Sequence, residues 1–301
     1  MRSAAPLLSL LLLTGFVCAT PALGAEKRTV ADLGRELTEK YRGQHPAQWG
    51  EHLPGIVDFL PPPPESSPDP SSTPPPHGAR LSKTSRAETP RPETPKPDQT
   101  PPPTLALTLD ACEGGTDMRI IALLRTHSVP ATVFVTNRWL RRNPAVAAEL
   151  AADPLFSLAC HGKRHKPASV AGKRIYGITG TRTVAELVEE VEDNARAIEA
   201  ITGKRPLWYR SGTAYYDDVA LKVIADLGLA VAGYAVSADQ GATLPAKAVA
   251  RAILKAPDRA VILCHLNHPE SGTYEGLATA IPALRDRGAA FVSLETAKDK
   301  R

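Results

Sequence analysis

The 301-residue sequence lacks a strong bias of charge. Its 36 Lys and Arg residues and 32 Asp and Glu residues leave a net charge of +4, and neither a basic helix nor a basic block stands out. Nucleic-acid binding needs clustered basic side chains, because they neutralise the phosphates. We therefore expect no nucleic-acid partner.

Long hydrophobic runs are also lacking, apart from one at the N-terminus. Arg2 precedes the apolar run 4–17, and the small residues 22–25 follow at the spacing of a cleavage site. This arrangement is typical of a secretory signal peptide, and the run is too short to span a bilayer comfortably. We expect residues 1–25 to be a signal peptide and the mature protein to be exported, either periplasmic or secreted, with no stable membrane span.

Cysteine is scarce, and one of the four cysteines lies in the predicted signal peptide. The odd number that remains, Cys112, Cys160 and Cys264, excludes complete pairing within the chain. Cys160 and Cys264 directly precede His161 and His265 on predicted strands. Because adjacent strand residues point to opposite faces, we expect these two thiols to face the packing layer. A Cys112–Cys160 disulfide is the alternative in an oxidising compartment.

Proline is abundant, with 29 residues, and it is concentrated between residues 61 and 103. That stretch has almost no large apolar side chains, so it cannot bury enough surface to offset the entropy of ordering. We expect 61–103 to be a Pro-rich disordered linker. The preceding segment, 26–60, has helical spacing over Val30–Tyr41. It is too small to fold alone, so we expect it to pack on the main domain through Trp49 and Leu53.

Residues 104–301 carry the predicted fold, in which short β-type runs alternate with helical patterns. The seven runs are Leu105–Leu109, Ala131–Thr136, Phe156–Cys160, Leu207–Tyr209, Ala230–Ser237, Ala260–Cys264 and Ala290–Leu294. The clearest helix is Val184–Thr202, with a capping box of Thr183 and Glu186 at its start and Gly203 at its end. This alternation predicts an α/β fold, an irregular seven-stranded (β/α) barrel.

Charged or titratable residues follow five of the seven runs, at the face where such barrels collect their chemistry. They are Asp110, His161 with His165, Arg210, Asp239 and His265. If the loop after the third run turns into a helix, the i, i+4 pair of histidines lies on one face and can chelate an ion. A carboxylate and water would complete a site for Zn²⁺ or another divalent transition ion.

The ordered set of motifs resembles the polysaccharide deacetylases, the NodB-homology group of carbohydrate esterase family 4. The matching residues are Thr108-Leu109-Asp110, His161 with His165, Arg210, Asp239 and Leu263-Cys264-His265. The resemblance extends from Leu105 to about Leu294. It implies a NodB-type barrel that removes N-acetyl groups from an N-acetylated glycan with a divalent metal, Zn²⁺ first, with Co²⁺ or Ni²⁺ as alternatives.

The same resemblance implies a role for each matching residue. Asp110 corresponds to the base, and His265 to the general acid that protonates the leaving amine. Arg210 would orient Asp110, and Asp239 would tune His265. His161 and His165 correspond to metal ligands.

The family usually has a second aspartate, a metal ligand, where this sequence has Ala111. The third protein ligand is therefore open between Asp110 itself, Glu113 or Asp117, the Cys112 thiolate, and His268. We favour Asp110 or Asp117. The loop that begins at Arg210 also lacks the usual proline after the arginine, although Gly212 would permit a close backbone N–H in an oxyanion hole.

Two other functions remain open from the sequence. One is a cyclic-amide hydrolase of a related barrel, some of which work without metal, and the missing aspartate would suit it. The other is a catalytically silent envelope module that binds glycan. Aromatic residues make up only 5% of the chain, so no sugar-stacking strip is obvious. The candidates, each explained equally well by ordinary packing, are Tyr176, Trp208, Tyr215, Tyr216 and Tyr234.

Overall fold

The computed structural model describes residues 28–62 and 101–298, so the predicted signal peptide and nearly all of the predicted Pro-rich linker lie outside the described residues. The α-helices of the described part are α1 (Val30–Lys40), α2 (Met118–Thr126), α3 (Asn137–Arg142), α4 (Pro144–Ala152), α5 (Val184–Thr202), α6 (Asp218–Asp226), α7 (Ala246–Leu254), α8 (Thr273–Asp286) and α9 (Leu294–Lys298). None of these helices is long and apolar enough to cross a membrane.

Strands alternate with these helices along the chain. They are β1 (Trp49–Gly50), β2 (Ile56–Val57), β3 (Thr104–Ala111), β4 (Ala131–Val135), β5 (Phe156–Cys160), β6 (Arg174–Ile175), β7 (Ile178–Thr179), β8 (Trp208–Tyr209), β9 (Tyr216–Asp217), β10 (Ala230–Ala232), β11 (Val236–Ser237), β12 (Val261–His265) and β13 (Ala290–Phe291).

The main sheet is parallel and curls into the irregular (β/α) barrel that the sequence predicts. Its strand order is β11-β12-β3-β4-β5-β8-β10-β2, and β13 also pairs with β3. All seven predicted runs appear as strands. The run over residues 230–237 forms two strands, β10 and β11, because its middle leaves the sheet.

Within the main sheet, the strand that the sequence does not predict is β2, in the segment before the predicted linker. Ile56 pairs in parallel with Val231 of β10. The chain then crosses to β12, where the Val261 N–H donates to the Asp58 carbonyl at 3.0 Å and the Leu60 N–H donates to the Arg259 carbonyl at 2.8 Å. Residues 56–60 thus bridge the gap between β10 and β12. A two-residue strand is too short to show the alternation by which strands are recognised.

Two apolar clusters lie on the two faces of the curled sheet. Alternate residues of β3, such as Leu109 and Ala111, belong to an outer layer between the sheet and the helices. Cys160 and Cys264 also lie in this layer, as expected. The intervening residues of β3 point to the inner face of the sheet. One of them, Ala106, belongs to a smaller apolar cluster inside the barrel.

Helix α5 has the predicted bounds, but its capping box is only half formed. The Thr183 hydroxyl accepts from the Glu186 N–H at 3.1 Å. The Glu186 carboxylate does not return to Thr183 but accepts from the Arg182 N–H at 2.9 Å and pairs with Lys166. The neighbouring lysine therefore draws the carboxylate away from the reciprocal bond. Helix α1 packs along α5, with Gly34 against Ala185.

Candidate active site

The carboxyl ends of adjacent parallel strands place the sequence-predicted residues together on the inner face. Asp110 of β3 is in register with His265 of β12, and Phe134 of β4 lies on its other side. His161 and Arg210 directly follow β5 and β8. Because strand neighbours are fixed by the hydrogen-bond ladder, this arrangement needs no long-range loop to assemble it.

Asp110 and Arg210 form a buried ion pair. Arg210 Nη1 donates to Asp110 Oδ1 at 2.7 Å and to the Thr108 hydroxyl at 2.9 Å, while Nη2 donates to the Gly233 carbonyl at 2.6 Å. The guanidinium also lies 4.3 Å from the centre of the Phe134 ring. Burial alone would raise the pKa of Asp110, but Arg210 and the nearby histidines outweigh it and lower the pKa. Asp110 is therefore ionised at neutral pH.

His161 is held so that one ring nitrogen faces Asp110. Its Nδ1–H donates to the Arg210 carbonyl at 3.0 Å, and its Nε2 lies 3.5 Å from Asp110 Oδ2. The buried amide of Asn194 accepts from the backbone N–H of His161 at 2.9 Å and from that of Gly162 at 3.0 Å. The bond from Nδ1 to the Arg210 carbonyl orients the ring, and the two bonds to Asn194 hold the backbone beneath it.

His165 reaches the same place through a loop, not through the helix considered from the i, i+4 spacing. Its backbone is left-handed, with φ at 63°, and its ring centre lies 4.9 Å from that of His161. The buried Glu190 carboxylate accepts from the N–H groups of Arg164 and Lys166 on either side. Gly212 packs so closely against the His165 backbone that a Cβ would overlap it. Gly212, two residues after Arg210, therefore makes room for the histidine loop.

Cys112 joins the two histidines, on the inner face of the barrel. Its Sγ lies 3.5 Å from His161 Nε2, and the ligand atoms of Cys112, His161 and His165 all lie within 4.8 Å of one another. Burial would raise the pKa of the Cys112 thiol, but His165 and His161 hold it well below its usual range. Strand alternation explains the position: Ala111 points to the outer layer, and the next residue returns to the face of Asp110.

These three residues fit a divalent metal. His165 Nε2 is buried and has no hydrogen-bond partner among the described residues. A buried polar atom without a partner is costly, and it is expected where a ligand completes the site. One thiolate and two imidazoles are donors that zinc accepts.

Asp110, one of the two favoured third ligands, lies beside this cluster, with Oδ2 3.5 Å from His161 Nε2, whereas the remaining candidate ligands lie elsewhere. Asp117 caps the start of α2 and receives two bonds from the Arg119 guanidinium, at 2.9 and 2.7 Å. Glu113 pairs with Arg138 at 3.1 Å and is largely exposed. His268 Nδ1 lies 2.9 Å from the exposed Glu270 carboxylate. Cys112, Cys160 and Cys264 are free thiols, and the first two lie on opposite faces of the sheet.

Asp239 contacts His265 from the side that faces away from Asp110, because β12 lies between β11 and β3. Asp239 Oδ1 lies 2.9 Å from His265 Nδ1, and Oδ2 accepts from the His265 backbone N–H at 2.7 Å. Burial would lower the pKa of His265, but Asp239 and the Cys112 thiol raise it well above its usual range. Thr273, at the start of α8, also donates to Asp239, at 2.9 Å. Sequence reasoning missed this threonine because nothing near it in the chain marks it.

Comparison with known proteins identifies the barrel. The polysaccharide deacetylase family model matches residues 98–232. An uncharacterized protein of Bacillus subtilis strain 168, YlxY, is 22% identical over 183 residues, which is 60% of this chain and 53% of YlxY. The chain thus spans about half the length of that relative.

Solved structures give the same barrel. BA3943, a carbohydrate esterase family 4 pseudoenzyme from Bacillus anthracis, superposes with a TM-score of 0.56 at 22% identity, covering 65% of this chain and 66% of that one. A BA3943 mutant with restored enzymatic activity matches at 24% identity, with a TM-score of 0.56 and 65% and 68% of the two chains. PdaA of Bacillus subtilis, a family 4 carbohydrate esterase, matches at 22% identity and 0.54, covering 65% and 81%. The family model matches a little less than half of the chain, and the solved structures share its curled parallel barrel, so the chain is similar to the polysaccharide deacetylases in sequence over residues 98–232 and in fold.

Proposed function

We propose that this protein is an exported, metal-dependent hydrolase that removes N-acetyl groups from an N-acetylated glycan. The observation that supports it most is the pairing of two opposite proton-transfer groups on neighbouring strands. Asp110 is held ionised by Arg210, and His265 is held protonated by Asp239. Both lie beside the Cys112, His161 and His165 cluster.

Cys112, His161 and His165 would hold the metal, with zinc favoured by the thiolate and cobalt or nickel able to take the same donors. When bound, such an ion supplies Lewis-acid polarisation of a carbonyl oxygen and activates water. The Asp110 carboxylate has its Oδ1 engaged by Arg210, which leaves Oδ2 to accept the proton of the attacking water. Arg210 prevents Asp110 from turning away, because the arginine is itself anchored by the Gly233 carbonyl.

His265 would deliver the second proton. Amide cleavage expels an amine, which leaves only if its nitrogen is protonated. His265 keeps its Nδ1 on Asp239, so Nε2 is the ring nitrogen that would donate its proton to the leaving amine. Base and acid therefore act from adjacent strands.

Export rests on the signal peptide predicted for residues 1–25. An exported enzyme would work in the periplasm or outside the cell, where N-acetylated glycans of the envelope are found.

Acetate release from N-acetylglucosamine oligomers, with added Zn²⁺ or Co²⁺, tests the proposal. We expect turnover by the wild type and a fall of about 10²-fold or more in Asp110→Ala and His265→Ala. His268→Ala is the matched control, because this histidine lies three residues from His265 but bonds the exposed Glu270. No acetate from any oligomer, or rates unchanged in both site variants, would contradict the proposal.

A catalytically silent glycan-binding module is the second candidate. Ala111, where the family usually has an aspartate, and the similarity to a family 4 pseudoenzyme favour it. Oligomer binding that persists in Asp110→Ala, with no turnover by the wild type at any metal concentration, would support this alternative over the first.

A further inference from the structure

Three aromatic side chains from distant parts of the chain meet beside the candidate site. Trp49 comes from β1, Tyr176 from the tip of the β6–β7 hairpin, and Tyr215 from the loop that follows Arg210. The ring centres of Trp49 and Tyr215 lie 5.6 Å apart, and those of Tyr176 and Tyr215 lie 5.8 Å apart. Contacts of this kind form one continuous aromatic surface.

An acidic side chain joins this surface to a fourth ring. Glu51 Oε1 lies 3.5 Å from the Tyr176 hydroxyl. Glu51 is also a hydrogen-bond partner of Tyr234, where burial and this carboxylate raise the pKa of the tyrosine. We call Trp49, Glu51, Tyr176, Tyr215 and Tyr234 the aromatic rim.

The aromatic rim adjoins the machinery described above. The Ser211 hydroxyl donates to the Tyr215 carbonyl at 2.9 Å, and the following residue, Gly212, lies against His165. Tyr234 directly follows Gly233, whose carbonyl accepts from Arg210. Tyr215 and Tyr234 thus follow β8 and β10 at the carboxyl ends of these strands, the same end of the barrel at which Asp110 lies.

Tyr176 contacts Tyr215 and Glu51, yet most of its side chain faces solvent. Its side chain is 70% exposed, whereas Trp208 and Tyr216, two other aromatic candidates, are buried in the fold. Tyr176 and Gly177 both have positive φ, 49° and 77°, at the hairpin tip. Such turns favour Asn-Gly, and a non-glycine residue held there costs of order 1 kcal/mol. The ring of Tyr176 is therefore presented to solvent, where a ligand could cover it.

We propose that the aromatic rim is a subsite for a neutral, N-acetylated oligosaccharide, binding sugars adjacent to the one whose acetyl group is removed. Flat rings cover the apolar C–H face of a pyranose, and the Glu51 carboxylate accepts from its hydroxyls. The subsite rests on the proposed function, since it takes the same glycan further along its length. The N-terminal segment supplies Trp49 and Glu51, so this segment contributes to substrate recognition as well as to barrel closure.

The length dependence of oligomer binding tests the subsite in the full-length, metal-loaded protein. Calorimetry with N-acetylglucosamine oligomers of two and of five units compares wild type with Tyr176→Ala and Tyr176→Trp. We expect Tyr176→Ala to weaken binding of the longer oligomer about tenfold, to leave the shorter one unchanged, and Tyr176→Trp to restore it. Ile178→Ala is the control, because Ile178 is an exposed residue of the same hairpin.

The outcomes separate this inference from the proposed function. Equal affinity of wild type and Tyr176→Ala for the longer oligomer overturns the subsite, and acetate release by the wild type would still uphold the hydrolase. A Tyr176-dependent affinity without acetate release upholds the subsite and overturns the hydrolase. If Ile178→Ala weakens binding as much as Tyr176→Ala, the effect belongs to the hairpin's fold and the subsite is overturned.

Discussion

Asp239 holds His265 at two points, its side chain and its backbone. One carboxylate oxygen lies 2.9 Å from His265 Nδ1, and the other accepts from the His265 backbone N–H at 2.7 Å. The second oxygen also accepts from the Thr273 hydroxyl. The orientation of the ring and its affinity for a proton therefore depend on one buried carboxylate.

Replacing this carboxylate shifts the pH dependence of turnover in a known direction. Burial lowers the pKa of His265, and the Asp239 charge raises it above its usual value. In Asp239→Asn the charge is lost and burial remains, so the pKa falls and the protonated form disappears at lower pH. We expect kcat to fall and its basic limb to move to lower pH. Thr273→Val keeps the charge of Asp239 and should shift the basic limb less. Identical pH profiles of kcat for wild type and Asp239→Asn would contradict this account of His265.

Arg210 contributes to stability as well as to the site. Arg210→Met leaves Asp110 as an unpaired buried charge, so we expect a loss of about 3–5 kcal/mol in the free energy of unfolding. Adding Asp110→Asn should recover part of this loss, because it removes the charge. Urea denaturation measures the free energy of unfolding of the single and the double variant. Arg138→Met removes an exposed pair with Glu113 and should change stability by no more than about 1 kcal/mol. If the double variant recovers no stability, the unpaired Asp110 charge is not the cause of the loss in Arg210→Met.

Ala111 and Cys112 should respond in opposite ways to the same substitution. Ala111→Asp restores the usual family residue but places a carboxylate in the apolar outer layer, so we expect a loss of several kcal/mol in stability and no gain in turnover. Cys112→Asp places the carboxylate on the inner face, beside His161, and should keep both the fold and metal binding. Thermal unfolding and metal titration of the two variants decide this. A stable, more active Ala111→Asp would contradict the strand register described here.

The N-terminal segment should be part of the cooperative fold. Asp58 Oδ1 accepts from the Tyr234 N–H at 2.9 Å, and Oδ2 lies 2.8 Å from His52 Nδ1. Asp58→Ala leaves the Tyr234 N–H without this partner, at a cost of about 1–3 kcal/mol in unfolding free energy. Asp58→Asn keeps an acceptor oxygen and should cost less, and the exposed Gln48→Ala is the control. If Asp58→Ala unfolds as the wild type does in urea, the bridge from β10 to β12 does not stabilise the barrel.

The sequence predicts the barrel well, because its strands are regular enough to show where each one ends. That rule predicts Asp110, His161, Arg210 and His265 as neighbours, and the structure brings these four residues together. The third member of the histidine cluster is harder to predict, since five residues are open from the sequence and it favours Asp110 or Asp117. Strand alternation sends Ala111 outward and Cys112 inward, so the Cys112 side chain lies beside the histidines on the same face as Asp110.

Other features depend on contacts that no local pattern encodes. His165 reaches His161 through a left-handed residue packed against Gly212, not through a helical turn. Strand β2 is two residues long and pairs with β10, far along the chain. The aromatic rim draws its members from separate segments, so no stretch of sequence reveals it. In each case the determining neighbour is distant in sequence.

Zinc titration of the metal-free, full-length protein, with acetate release from an N-acetylglucosamine oligomer as the readout, tests the central claim most directly. We predict that the rate rises with added zinc and levels off at one equivalent, and that Cys112→Ala needs at least about tenfold more zinc for half its maximal rate. Acetate release that is undiminished without metal, or absent at every zinc concentration, would contradict the account.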